Sequence, residues 1–215
     1  MSLFLTFITS LMLGMRHATD PDHIVAVATI VSRERSVGKA AAIGAVWGAG
    51  HTITLLLVGG AIIAFKLAFN ARLGLSLELC VAIMLIVLGI LNLFAVRTRS
   101  AAPSASRPFL VGVVHGLAGS AAAALLIVPL MDDPRWAALY LVTFGLGTIV
   151  GMSIVTISIA APSLLAAAHM PSFQRSLRIA SGAVSLVFGL YLAQKIGFTD
   201  GLFTSRPSWS PRLLE

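Results

Sequence analysis

The stretch Arg16-His17-Ala18-Thr19-Asp20-Pro21-Asp22-His23 decides the reading of the whole chain. It sets two Asp and two His side by side, with an apolar run before them (Leu3 to Gly14) and another after them (Ile24 to Val31). Ionisable groups inside a hydrophobic segment are costly and mark an ion path, a relay or a metal site. On an unbroken helix His17 and His23 are separated by about 600° of rotation and point to different faces. Pro21 supplies an interruption, because it has no backbone donor and disfavours the helical region for Asp20. The expected local structure is a half-helix ending near His17, a short unwound link, and a second helix starting at Pro21 with Thr19 or Asp20 as its cap. Irregular backbone of this kind is tolerated at membrane depth where it lines a cavity or is covered by protein.

The surrounding composition supports a membrane setting. Of 215 residues, 58% are hydrophobic and 11% are charged, against roughly 25% charged in a soluble domain. The start of the chain is not expected to be a cleaved signal peptide: it lacks a basic leader, and the polar motif stands where a small-residue cleavage site is needed. A single Cys80 excludes a disulfide framework and is expected as a small buried apolar side chain. The net charge of +7 does not indicate nucleic acid, because the basic residues fall in the loops between apolar runs.

A span takes about 20 apolar residues. Six are expected, over 2–31 with the interruption, 39–65, 73–96, 108–131, 136–166 and 176–197. The fold class is thus an all-α integral membrane protein, with its first helix broken at Asp20-Pro21. Residues 1–97 and 108–198 form two three-helix halves, joined by a cytoplasmic linker at 98–107 and followed by a polar tail, 199–215, ordered only in part. Arg33, Arg35, Lys39, Arg97, Arg99, Arg107, Arg175 and Arg178 lie in odd-numbered loops, whereas Lys66, Arg72 and Arg135 lie in even ones. That bias places the odd loops in the cytoplasm and both termini outside a cell (inner) membrane.

The halves repeat. Gly14 to His17 aligns with Gly112 to His115 at an offset of 98, Trp47 to Gly50 with Phe144 to Gly147 at 97, and Leu88-Gly89-Ile90 with Phe188-Gly189-Leu190 at 100. Three spans per half insert the two halves with opposite orientation, the inverted-repeat plan of secondary transporters. Asp20, Asp22 and His23 align with Ala118, Ser120 and Ala121, so the first half carries most of the ionisable groups.

Imidazole suits Ni, Co, Cu and Zn, and the lack of a thiolate cluster argues against Cu(I) or structural zinc. His17, Asp22 and His23 are the first candidate ligands. His51, in Trp47-Gly48-Ala49-Gly50-His51-Thr52, is the fourth. Asp20 can bind the ion, cap the helix or pair with Arg16. His115 is either a pathway residue or a hydrogen-bonding group between helices. The competing structural reading of the cluster is a satisfied buried polar network. Glu78 is expected at the membrane interface and Asn92 in helix packing.

Arg16 to Ile24 resembles the signature of the nickel/cobalt transporter (NiCoT) family, a His, four residues, then Asp-His, and Gly50-His51-Thr52 resembles that family's second signature. The resemblance is good over the first half and poor over the second. Ser120 in Gly116-Leu117-Ala118-Gly119-Ser120 and Thr156 in Gly151 to Thr156 stand where the family's later acidic motifs have Asp, which makes both possible pathway residues. In its length the chain is similar to the compact six-span, urease-accessory (UreH-like) branch. The resemblance implies a permease with Ni²⁺, or next Co²⁺, as transported substrate, with His17, Asp22, His23 and His51 as the functional positions. It also implies the lipid bilayer as surroundings, and a homo-oligomer or cytosolic nickel-enzyme assembly factors as partners. No organic cofactor is expected. No nucleotide-binding motif is present, so the chain is read as a non-enzyme that the membrane potential drives. The alternatives are an anion or amino-acid exporter on the same plan, a membrane metalloenzyme, and a non-transporting nickel-delivery protein.

Overall fold

The structure, a computed structural model, describes residues 3–32, 34, 36–65, 70–94, 105–117, 133–169 and 173–209. These residues are helical, with no strand among them. Among the described residues there are seven α-helices: α1 (Leu3–His17), α2 (Pro21–Val31), α3 (Val37–Phe65), α4 (Ala71–Phe94), α5 (Ser106–Gly116), α6 (Pro134–His169) and α7 (Phe173–Gln194). A π-helical turn, Lys195–Thr199, extends α7. Among the described residues, four helical stretches are long and apolar enough to cross a bilayer: Val37–Ala61, Ala71–Phe94, Arg135–Ala166 and Phe173–Thr199. The chain is a membrane protein. Of the expected span at 108–131, α5 covers the first part, and residues 118–132 lie outside the described residues.

The break at the motif is present. Helix α1 ends at His17, Ala18 to Asp20 form the link, and α2 starts with Pro21 in its first turn. Asp20 takes the cap position with extended backbone, φ −60° and ψ 144°, but its side chain makes no capping bond. The Thr19 hydroxyl donates back to the Arg16 carbonyl, 2.6 Å away, and so closes the end of α1.

Helix α3 packs along both α5 and α6, α1 packs on α6, and α4 packs on α7, while α2 touches α4, α6 and α7. Small residues set these distances. A methyl group on Gly14 would overlap the carbonyl of Phe144, and one on Gly112 would overlap the carbonyl of Trp47. Backbones this close give helices in lipid the dispersion contact that an apolar solvent does not otherwise reward.

The interior combines apolar packing with hydrogen-bonded polar side chains, and the exterior is strongly apolar. Ser10 is hydrogen-bonded to Thr143, Thr52 donates to the Gly145 carbonyl at 3.0 Å, and Ser185 to the Leu85 carbonyl at 2.8 Å. Asn92 fills the packing role expected of it: its amide nitrogen lies 3.2–3.3 Å from the Thr29 and Arg178 carbonyls and the Ser32 and Ser181 hydroxyls. The exterior carries Phe4, Leu57, Ile83, Val87, Leu91, Leu146 and Val187, the surface a hydrocarbon solvent requires.

One expectation is corrected here. Cys80 is exposed rather than buried, because the buried stripe of α4 runs through Glu78, Val81, Ala82, Leu85, Gly89 and Asn92 and leaves position 80 on the opposite side. Glu78, near the start of α4, is buried because the tail folds over it: Trp209 donates its indole N–H to Glu78 Oε1 at 3.0 Å. The tail reaches that position through Gly201, whose φ of +82° suits glycine.

Candidate metal site

Four helices bring five ligand-competent side chains to one place. His17 is the last residue of α1, Asp22 and His23 lie in the first turn of α2, His51 lies on α3, and His115 lies in the last turn of α5. His23, His51 and His115 are completely buried, and His17 and Asp22 nearly so. The broken helix gives the predicted convergence: the rings of His17 and His23 are 4.6 Å apart between centroids, those of His17 and His51 5.0 Å, and those of His23 and His115 4.1 Å.

The hydrogen bonds orient the rings. His17 Nδ1 lies 2.8 Å from Asp20 Oδ2, which leaves His17 Nε2 facing His51 Nε2 at 3.2 Å. A neutral imidazole that donates from Nδ1 presents a lone pair at Nε2. Asp22 stands between two rings, with Oδ1 3.1 Å from His23 Nδ1 and Oδ2 3.0 Å from His115 Nε2. The backbone N–H of His23 also donates to Asp22 Oδ1, at 3.0 Å. An anionic side chain in the first turn of α2 meets the positive end of that helix, while His17 and His115 sit at the negative, carbonyl-rich ends of α1 and α5. Those ends favour a cation.

His23 Nε2, His51 Nδ1 and His115 Nδ1 are buried without a hydrogen-bond partner among the described residues, as is Trp47 Nε1. Unpaired buried nitrogens are rare in a purely structural network. Trp47 is stacked on His23 and tilted against His115, and Phe144 is tilted against His17, so aromatic walls enclose the cluster. Two overlapping groups can hold a metal ion: His17, His23 and His51, and Asp22, His23 and His115, with the ligand atoms of each group within 4.8 Å of one another.

The structure therefore brings together His17, Asp22, His23 and His51 as the motifs suggested, and adds His115 as a full member. Asp20 is beside the cluster rather than in it, with its side chain 41% exposed and turned to His17. Thr156 is buried, but its hydroxyl is donated to the Met152 carbonyl and it belongs to neither group. Ser120 lies outside the described residues. The enclosing role of Trp47 and Phe144 was not read from the sequence; their alignment in the repeat was the available signal.

A urease accessory protein, UreH of Bacillus sp. (strain TB-90), is 34% identical over 210 residues, covering 89% of this chain and 91% of the relative. The chain belongs to the UreH family of urease accessory proteins. No family model and no solved structure matches it. The match covers most of both chains, so the likeness of this UreH family member to its relative extends over most of its length.

Proposed function

We propose that this protein is a six-span permease for a divalent transition metal, with Ni²⁺ favoured over Co²⁺. The observation that carries the reading is the buried meeting of four imidazoles and one carboxylate from α1, α2, α3 and α5. Nitrogen-rich sites with a carboxylate suit late first-row divalent ions, and the urease-accessory name of the relative fits nickel. The six spans comprise α1 and α2 in series as a broken first span, α3, α4, a fourth span opened by α5, α6, and α7 with its π-turn.

The contacts also support an inverted repeat of residues 1–97 and 108–198. Gly14 packs on Phe144 and Gly112 on Trp47, which exchanges the aligned partners of the two halves. Gly89 approaches Leu186 and Gly189 approaches Ile86, a second exchange at the offset of 100. The cation site then lies where the halves meet, with His115 as the contribution of the second half.

A cation reaching Asp20 from outside is partly dehydrated by His17, Asp22, His23 and His51. A negative-inside potential favours entry by about 2.3 kcal/mol per charge per 100 mV, or ~4.6 kcal/mol for a divalent ion. This drives uptake without a second substrate. The test is flux into liposomes containing the purified chain, with Ni²⁺, Co²⁺, Zn²⁺ and sulfite measured side by side. Ni²⁺ is expected to pass, and His17→Ala and Asp22→Ala are each expected to abolish its passage while the protein still elutes as a single folded species. Undiminished Ni²⁺ flux in both variants, or sulfite flux without metal flux, sinks the reading. A second reading rests on the relative's name alone: the site captures nickel for delivery to soluble urease assembly factors, and it predicts metal binding without flux.

A further inference from the structure

The five side chains do not surround a single point. They divide into an all-imidazole group, His17, His23 and His51, and a carboxylate-containing group, Asp22, His23 and His115. His23 is common to both. Its Nδ1 is 3.1 Å from Asp22, inside the second group, while its Nε2 has no hydrogen-bond partner among the described residues.

We propose that these are two successive positions for one divalent cation, which is handed from the first to the second on the shared ring of His23. The proposal rests on the permease reading and adds a sequence of steps to it. Charge sets the order. The first group is all imidazole, and its one incompletely buried ring, His17, is tied through Nδ1 to the half-exposed Asp20, whereas the second group holds the carboxylate of Asp22 beside His115, which is walled by Trp47. The first position offers neutral ligands, so an arriving ion is held by imidazole lone pairs alone. The second adds the charge of Asp22, which draws the ion inward. Conduction needs binding strong enough to admit an ion and divided enough to release it, and two half-sites with a common ligand meet both demands. Occupation of both positions at once is disfavoured, because two divalent charges would then share one imidazole with only one carboxylate between them.

The experiment uses the full chain in two settings, Co²⁺ binding in detergent read by visible absorption and Ni²⁺ flux in liposomes. The wild type is expected to bind one Co²⁺. His51→Gln removes a ligand from the first position, and His115→Gln removes one from the second; glutamine keeps most of the side-chain volume. Each variant is expected to retain one Co²⁺, to give a ligand-field spectrum distinct from the other, and to lose flux by roughly tenfold or more. His23→Gln is expected to lose tight Co²⁺ binding. Two Co²⁺ per wild-type chain, identical spectra for the His51 and His115 variants, loss of binding in either as complete as in the His23 variant, or full flux in the His115 variant overturns the handover. A variant that does not elute as a folded species is replaced by the corresponding Asn substitution and judged by the same outcomes. Absence of Ni²⁺ and Co²⁺ flux in the wild type instead overturns the permease reading itself, and the handover with it.

Discussion

At the scale of single residues, Asp20 is a carboxylate placed to orient a candidate ligand rather than to be one. Its side chain makes no cap bond to α2, and it accepts from His17 Nδ1 at 2.8 Å. That contact fixes the ring and raises the basicity of Nε2, which faces His51. Loss of such an outer carboxylate costs about 10- to 100-fold in metal affinity. Asp20→Asn is therefore expected to weaken Co²⁺ binding by that factor while leaving helix content unchanged, as titration and circular dichroism of the same preparation can check. Unchanged affinity would show that His17 needs no orienting partner. His17, Asp22, His23 and His51 were legible in the sequence because ionisable groups in an apolar run are rare and because Pro21 announces the break that lets them converge. The role of Asp20 was not legible, since a residue at a helix cap, a ligand and a hydrogen-bond acceptor look alike until the direction of the side chain is known. His115 remained open for a similar reason: it stands alone in its half, and only the packing of α5 on α3 brings it to Asp22.

At the scale of helices, the decisive property is the closeness of backbones. A methyl group at Gly112 meets the Trp47 carbonyl oxygen and the backbone nitrogen of His51, neither of which can move without shifting α3. Gly60, on the same α3, has nothing within 4 Å of an added methyl. Overpacking a tight contact costs about 1–3 kcal/mol, whereas alanine in place of an unpacked helical glycine stabilises by about 0.5–1 kcal/mol. Gly112→Ala is thus expected to lower the thermal unfolding midpoint in detergent, and Gly60→Ala to raise it slightly or leave it. Equal shifts for the two would mean that the α3–α5 approach is looser than the geometry requires. Helix existence and the main boundaries were readable, because runs of this length and hydropathy have few other outcomes. Burial was not. A helix in lipid is apolar on its outer face as well as its inner one, so Cys80 and Ala82 sit in equally apolar surroundings in the sequence although only Ala82 is in the core. The burial of Glu78 was not legible for another reason: its partner Trp209 lies in the tail, beyond the reach of any local pattern.

For the whole molecule the decisive quantity is orientation, which sets the group of ligands an entering cation meets first. The uptake reading needs Asp20 to be approached from outside, hence the first loop inside and the tail outside. Eight basic residues in the odd loops against three in the even ones favour that arrangement. The tail opposes it in part, because Lys195, Arg206 and Arg212 add positive charge on the outer side. The structure locates two of those charges: Lys195 opens the π-helical turn after α7, and Arg206 is exposed in the segment that folds back so that Trp209 can reach Glu78. The tail lies within about 20 residues of the last span, so its charges count, and they narrow the bias without reversing it. Single cysteines in a Cys80→Ala background decide the matter. Ser36→Cys, in the first loop, is expected to react with a membrane-impermeant maleimide only after the cells are opened, and Ser205→Cys, exposed in the tail, is expected to react in intact cells. The reverse pattern would turn the molecule over, so that an entering cation would meet the His115 group before the His17 group and the order of the handover would be reversed. Labelling of both positions from one side would remove the odd number of crossings between them and, with it, the six-span reading.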